Sequence, residues 1–158
     1  MDVNKAFIGI RSYTKPKIDE GLIMEQSLED WIKSELTVDI TQELAKHKET
    51  IKNFIKLIPD GSVLVIDQKK NFSAKDKIAL YMIGKLYSNY AKYSSEKTVK
   101  NKELEDALGL PEGTVKNSLF RLRKDNYVMV VAEGVHQIKF DKIGDILNEI
   151  KGKMQKSG

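Results

Sequence analysis

The clearest hydrophobic periodicity in this 158-residue chain lies between Ser73 and Tyr90. Apolar residues recur there every three or four positions, which is the spacing of one face of an α-helix. Ser73 with Asp76 three positions later has the arrangement of an N-terminal capping box. We therefore predict a helix that begins after Ser73, ends by Tyr93 and buries Ile78, Ala79, Met82, Ile83, Leu86 and Tyr90.

Two shorter helices separated by a tight turn are predicted next. The first begins at Asn101, predicted as its N-cap, and ends at Gly109, because glycine readily adopts the left-handed conformation that terminates helices. Pro111 lies in the turn. The second helix spans residues 112–125, and Asn126, which tolerates a positive φ, ends it. Its buried stripe consists of Val115, Leu119 and Leu122.

Strands and one further helix complete the C-terminal half. Two apolar runs joined at Glu133-Gly134 predict a β-hairpin from Tyr127 to Phe140, and Thr98-Val99 predicts a short strand. Asp141 is the expected N-cap of a last helix, whose apolar stripe is Ile143, Ile146, Leu147, Ile150 and Met154.

The N-terminal 70 residues combine predicted strands and helices. Lys5 to Tyr13 predicts a strand, and Ser27 to Leu36 predicts a helix. Ile40 to Ile58 keeps helical spacing throughout, so we predict one helix there, ended by Pro59-Asp60-Gly61. Ser62 to Asp67 is a β-branched run typical of a buried strand.

The chain is long enough for one or two small domains. A polar stretch between Gln68 and Phe72 marks the predicted boundary. We expect an N-terminal α/β region at residues 1–70, a domain at residues 73–140, and a C-terminal helix and tail at residues 141–158. The predicted fold class is α+β and mostly helical.

The order of elements in residues 73–140 resembles the winged helix-turn-helix family, which has three helices followed by a β-hairpin called the wing. The resemblance implies that the helix at 112–125 is a recognition helix for the major groove of double-stranded DNA. It further implies a DNA-binding transcriptional regulator of prokaryotic type that forms a homodimer. Glu133 at the wing tip departs from wings that grip phosphate with lysine or arginine.

Composition argues against several other classes of protein. The chain has no cysteine, which excludes disulfides and thiol chemistry, and its two histidines are too few for a histidine-rich metal site. No apolar run approaches the roughly 20 residues of a membrane span, and the N-terminal apolar run is too short for a signal peptide, so we expect a cytoplasmic protein. No phosphate-binding glycine loop or hydrolase motif is present. We expect neither an enzyme nor a cofactor.

The positive charge is concentrated in the segment with the family resemblance. Residues 73–140 contain 12 basic and 8 acidic residues, a net charge of +4, whereas residues 1–72 contain 11 and 12, a net of −1. A basic excess suits contact with nucleic acid. Solvated lysines on an ordinary soluble surface are the alternative explanation.

Candidate DNA-binding residues follow from the buried stripe of the predicted recognition helix. Arginine pairs with guanine and asparagine pairs with adenine, whereas lysine and threonine suit contacts with phosphate. Phe120 contacts either a thymine methyl group or a junction with the N-terminal part of the chain. Lysines before the first short helix and two residues of the wing are secondary candidates. The full set is Thr114, Lys116, Asn117, Phe120, Arg121, Lys124, Lys100, Lys102, His136 and Lys139.

The function of the domain and the position of the dimer contact each have an alternative. The alternative function is a winged helix that serves as a protein-interaction module, with the N-terminal region contacting a partner. The dimer contact has two candidates, the stripe between Ile40 and Ile58 and the last helix with Ile146 and Ile150 as anchors. Packing within the chain is the alternative for both.

Overall fold

The computed structural model describes residues 27–67 and 71–157, and the chain divides into two compact units, Met1–Asp39 and Ile40–Gly158. In the first unit, residues 27–31 are α-helical and continue into a π-helical turn, Ile32–Leu36, which confirms the helix expected there. The strand predicted at Lys5 to Tyr13 lies outside the described residues.

The second unit is an α+β structure, mostly helical, with two small antiparallel sheets. A 3₁₀ turn, Phe140–Lys142, precedes the last helix. In chain order its helices and strands are α1 (Ile40–Lys46), α2 (Lys48–Ile51), β1 (Ile55–Leu57), β2 (Val63–Val65), α3 (Ala74–Tyr90), β3 (Val99–Lys100), α4 (Asn101–Leu108), α5 (Glu112–Lys124), β4 (Val128–Ala132), β5 (Val135–Ile138) and α6 (Ile143–Ser157).

Helix α3 lies in the middle of this unit. Its N-terminus carries the predicted capping box, in which the Ser73 hydroxyl accepts from the Asp76 N–H and the Asp76 carboxylate accepts from the Ser73 N–H. Side chains on nearly every side of the helix are buried, as expected for a helix surrounded by other elements. Tyr90, which the sequence predicts to be buried, is instead 53% exposed. Both sheets and helices α4, α5 and α6 pack against it.

The single helix predicted from Ile40 to Ile58 is wrong in two respects: a turn at His47 separates α1 from α2, and no helix continues beyond Ile51. Residues Ile55–Leu57 form strand β1, which pairs antiparallel with β2 so that Ile55 faces Val65 and Leu57 faces Val63. Backbone pairing to β2 and packing on α3 override the local helical spacing. The predicted strand at Ser62 to Asp67 is confirmed at its centre, as β2.

The hydrophobic core is continuous across the predicted boundary near residues 68–72. Leu44, Ile51, Phe54 and Val63 belong to the same buried cluster as α3. Residues 40–67 therefore share a core with the C-terminal half, and the division of the chain falls after Asp39 instead.

The second sheet has the strand order β3-β5-β4, and all its pairs are antiparallel. Val99 faces His136 on one side of β5, and Val128 faces Ile138 on the other. The register shifts between Val130 and Ala132, which indicates a β-bulge. Strand β4 is an outer strand of this sheet.

The two short helices end where predicted to within one residue. Gly109 ends α4 with φ 65° and Asn126 follows α5 with φ 68°. Asn101 is not an N-cap as predicted: Lys100 occupies the cap position, and the Asn101 Oδ1 is buried without a hydrogen-bond partner among the described residues. The helix begins one residue earlier because Asn101 is already in the helical conformation.

Helix α6 has its predicted apolar stripe, and that stripe belongs to the core. Ile146 is 2% exposed and Ile150 is 1% exposed, so neither can anchor a dimer as proposed from the sequence. Asp141 lies within the 3₁₀ turn rather than at the helix N-cap.

Gly84 on α3 permits close approach of the β1–β2 hairpin. A Cβ at this position would collide with Val63 Cγ1 and lie 3.1 Å from Ile55 Cδ1. Gly84→Ala should therefore lower the free energy of unfolding by about 1–3 kcal/mol through overpacking, measured by urea denaturation. Gly152→Ala on α6 is the matched control, since nothing lies within 4 Å of its added Cβ. We expect it to stabilise by about 0.5–1 kcal/mol through helix propensity. Equal effects at the two sites would contradict the packing of the hairpin on α3.

Candidate nucleic-acid interface

Helix α5 is held by its apolar face and exposes the opposite one. Val115, Leu119 and Leu122 are at most 1% exposed, and the helix packs on α3 and α4. The sequence prediction of this stripe is confirmed. The other side of the helix carries four residues at helical spacing, of which only Thr114 is half-buried. We call this set the outward row: Thr114, Asn117, Arg121 and Lys124.

Helix α4 and the C-terminal end of α5 are each tied to α3 by an ion pair. Glu103 on α4 accepts from the Tyr81 hydroxyl at 2.6 Å and from Lys85 Nζ at 2.7 Å, both on α3. At the C-terminal end of α5, Lys75 Nζ lies 2.7 Å from the Asp125 carboxylate. Lys75 and Lys85 are mostly buried, so these contacts orient α4 and α5 more than an exposed pair would.

The cations of this surface fall into two groups. Arg121, Lys124 and Lys100 have no carboxylate within ion-pair distance in the part of the chain that the structure describes. Lys116, by contrast, lies 2.9 Å from Glu112, and Lys102 lies 3.3 Å from Asp106. The hydrogen bond and charge of Lys116 lower the pKa of the Glu112 carboxyl. The first group can therefore meet a phosphate without first losing a carboxylate partner.

Lys100 lies beside the turn of the β4–β5 hairpin. It faces Val135 across the sheet, and the N–H of the next residue, Asn101, donates to the carbonyl of Gly134 at 3.3 Å. Backbone pairing thus places an exposed cation close to the hairpin tip. Glu133, the residue at that tip, is exposed as well.

The two candidate residues of the hairpin are both engaged within the fold. Lys139 is half-buried and donates to Asn126 Oδ1, which joins the end of β5 to the end of α5. His136 is 4% exposed, and its Nε2 lies 3.2 Å from Arg123 Nη1. The expectation that His136 reaches DNA is corrected, because its position on the inner face of the sheet withdraws it from the surface.

Phe120 lies on the flank of α5 that carries Arg123. Its side chain is 54% exposed, and the Arg123 guanidinium carbon is 6.0 Å from the ring centroid. That distance is at the limit of a cation–π contact. Phe120 is therefore next to the residue that contacts the sheet, and it is not part of the outward row.

Sequence reasoning missed the ion pair between Glu112 and Lys116 and the contact between Arg123 and His136. A signal for the first was present, because glutamate four positions before lysine on a helix commonly pairs with it. No local signal exists for the second, because 13 residues and a strand reversal separate Arg123 from His136.

No protein-family model, curated protein sequence or solved structure matches this chain. In the part of the chain that the structure describes, no helix is long and apolar enough to cross a membrane. The same residues contain no group of three or more histidine, aspartate or glutamate side chains that could hold a metal ion.

The environment of His136 makes stability depend on pH. Burial, followed by the charge of Arg123, lowers the pKa of His136, whereas the unfolded chain keeps a pKa of about 6.5. Below about 6.5 the unfolded state binds a proton that the folded state excludes, so stability is full above that pH and falls as pH decreases through it. We expect urea denaturation to show a loss of stability between about pH 7.5 and pH 5.5, and a smaller loss in His136→Gln. An unchanged pH dependence in the variant would contradict the assignment.

Proposed function

We propose that residues 73–140 form a winged helix-turn-helix domain that binds double-stranded DNA in a sequence-specific manner, with α5 as the recognition helix. The order α3–β3–α4–α5–β4–β5 supports this, because it supplies three helices, a tight turn before the last helix and a following hairpin. The observation that carries the proposal is the outward row. Arg121 and Lys124 are exposed and unpaired among the described residues, in line with Asn117, on a helix whose other face is locked into the core.

The outward row suits the major groove, which is about 12 Å wide and admits one α-helix. Arg121 supplies two parallel N–H donors for guanine, and the Asn117 amide both donates to and accepts from adenine. Lys124 meets a phosphate near the C-terminal end of the helix. Thr114 meets another near the N-terminal end, where unpaired backbone N–H groups also attract anions.

A third phosphate contact comes from Lys100, on the strand next to the hairpin turn. Such a contact fixes the position of the helix along the duplex without reading sequence. The net charge of +4 on residues 73–140 favours approach to a polyanion. A cytoplasmic, dimeric transcriptional regulator of prokaryotic type is the role that we assign to such a domain.

Binding to DNA is tested by fluorescence anisotropy with a labelled random-sequence duplex at several salt concentrations. We expect affinity to fall as salt rises, by about 0.9 log units per log unit of salt for each neutralised phosphate. Arg121→Ala with Lys124→Ala should weaken binding about tenfold or more and reduce the salt slope. Lys48→Ala with Lys56→Ala is the matched control, since both lysines are exposed on α2 and β1 and the same charge is removed. Equal losses of DNA affinity in the two double variants would contradict the role of α5 as the recognition helix. A wild-type protein that shows no salt-dependent binding would contradict DNA binding altogether.

The pair between Glu112 and Lys116 generates a second prediction about the same surface. The Glu112 carboxylate repels phosphate at the start of α5 and occupies Lys116. Glu112→Gln should therefore strengthen binding to the duplex about two- to tenfold at low salt, with the gain shrinking as salt screens the charges. Weaker or unchanged binding at low salt would show that the N-terminal end of α5 does not approach DNA.

The alternative function, a protein-interaction module, is favoured by a different observation. Strand β4 exposes three apolar side chains that none of the DNA contacts proposed above uses: Met129, Val130 and Val131, which are 44–52% exposed. In the anisotropy experiment a pure interaction module shows no salt-dependent binding in any variant.

A further inference from the structure

Strand β4 leaves one of its two backbone edges unpaired. The Lys139 N–H donates to the Tyr127 carbonyl at 2.9 Å, so these two residues form a hydrogen-bonded pair with β5. Such pairs alternate along antiparallel strands. Consequently Val128 and Val130, which face Ile138 and His136, direct their N–H and C=O groups away from β5. No described residue bonds to these outward groups.

The side chains of β4 do not protect this edge. Natural proteins usually guard an outer strand with lysine, proline, short length or a β-bulge. Strand β4 is five residues long, Val-Met-Val-Val-Ala, with no charge and no proline. Met129 is 44% exposed and Val130 is 52% exposed. An uncharged, apolar edge of this kind pairs readily with another strand.

We propose that β4 pairs antiparallel with β4 of a second copy of this chain, around a two-fold axis at Met129. In this register Val128 lies opposite the partner's Val130, and Val130 lies opposite the partner's Val128. Both residues direct their donors and acceptors outward, so the two pairs exchange four backbone hydrogen bonds. Met129 meets the partner's Met129 as a non-hydrogen-bonded pair, where side chains approach most closely.

A second copy suits this edge better than an unrelated peptide, because the strand is complementary to itself. Val128 and Val130, whose backbone groups point outward, are two positions apart. A two-fold axis at Met129 therefore places each of them opposite the other residue of the partner strand, and all their outward N–H and C=O groups are paired. No like charges are brought together, since residues 128–132 contain none. The β-bulge begins after Val130 and lies outside the paired segment. The resulting six-stranded sheet would be isologous, as most homodimer contacts are.

The proposal does not depend on DNA binding, and its test contains no DNA. Analytical ultracentrifugation over about 1–300 μM protein should show a reversible dimer of the wild type, as expected for a small interface. Met129→Lys and Met129→Glu each place like charges opposite one another and should each weaken dimerisation about tenfold or more. An equimolar mixture of the two variants should restore the dimer, because lysine then faces glutamate. Leu64→Lys on β2 is the matched control, an exposed apolar strand residue in the other sheet, and should leave dimerisation unchanged.

A second variant tests the backbone contact directly. Val130→Pro removes an N–H that the chain itself does not use, so the fold should persist while the dimer is lost. Retained far-ultraviolet circular dichroism with a monomeric mass supports the proposal. A monomeric wild type, a dimer that survives Met129→Lys, or a charge-swapped mixture that stays monomeric would each overturn it.

Discussion

The burial of helix α3 on nearly all its sides is the constraint on which the rest of the second unit depends. Leu80, Tyr81 and Met82 are all buried, and because they are consecutive residues they point in different directions around the helix. Each needs a neighbouring element to exclude water from it. The β1–β2 hairpin, α5, α6 and the second sheet supply those neighbours. Because α3 has almost no free side, each element that packs on it has its inner face determined by where it meets this helix.

The character of α5 follows from that arrangement. Its leucine and valine stripe is used against α3 and α4, so its remaining residues have only solvent or a partner to contact. Lysine and arginine on such a face are often only solvated. The distinguishing feature here is that Arg121 and Lys124 have no ion pair among the described residues, while Lys116 and Lys102 do. The positive charge that is free of an ion pair therefore increases along α5, from its N-terminal end, where Glu112 pairs with Lys116, to its C-terminal end, where Arg121 and Lys124 are unpaired among the described residues.

Local sequence signals predicted the parts of the fold whose causes are local. The capping box at Ser73 and the left-handed residues Gly109 and Asn126 all depend on neighbours within four positions. Long-range pairing decided what the sequence could not predict. Residues Ile55–Leu57 have helical spacing yet pair with β2, and His136 has an ordinary strand environment in sequence yet is buried beside Arg123. The exposed edge of β4 is of the same kind, because it depends on the strand order of the sheet. Within the candidate site, the helical stripe predicted the outward row, whereas the pairing state of each cation depends on side-chain geometry.

The outward row is, in our proposal, the surface of the chain that contacts a duplex. Nuclear magnetic resonance maps this directly, through backbone amide shifts of the labelled chain during titration with a short duplex. We expect the largest shifts at Asn117, Arg121 and Lys124, smaller ones near Lys100, and little change along β1 and β2. Shifts that concentrate on the β1–β2 hairpin or on α6, with α5 unaffected, would contradict the account.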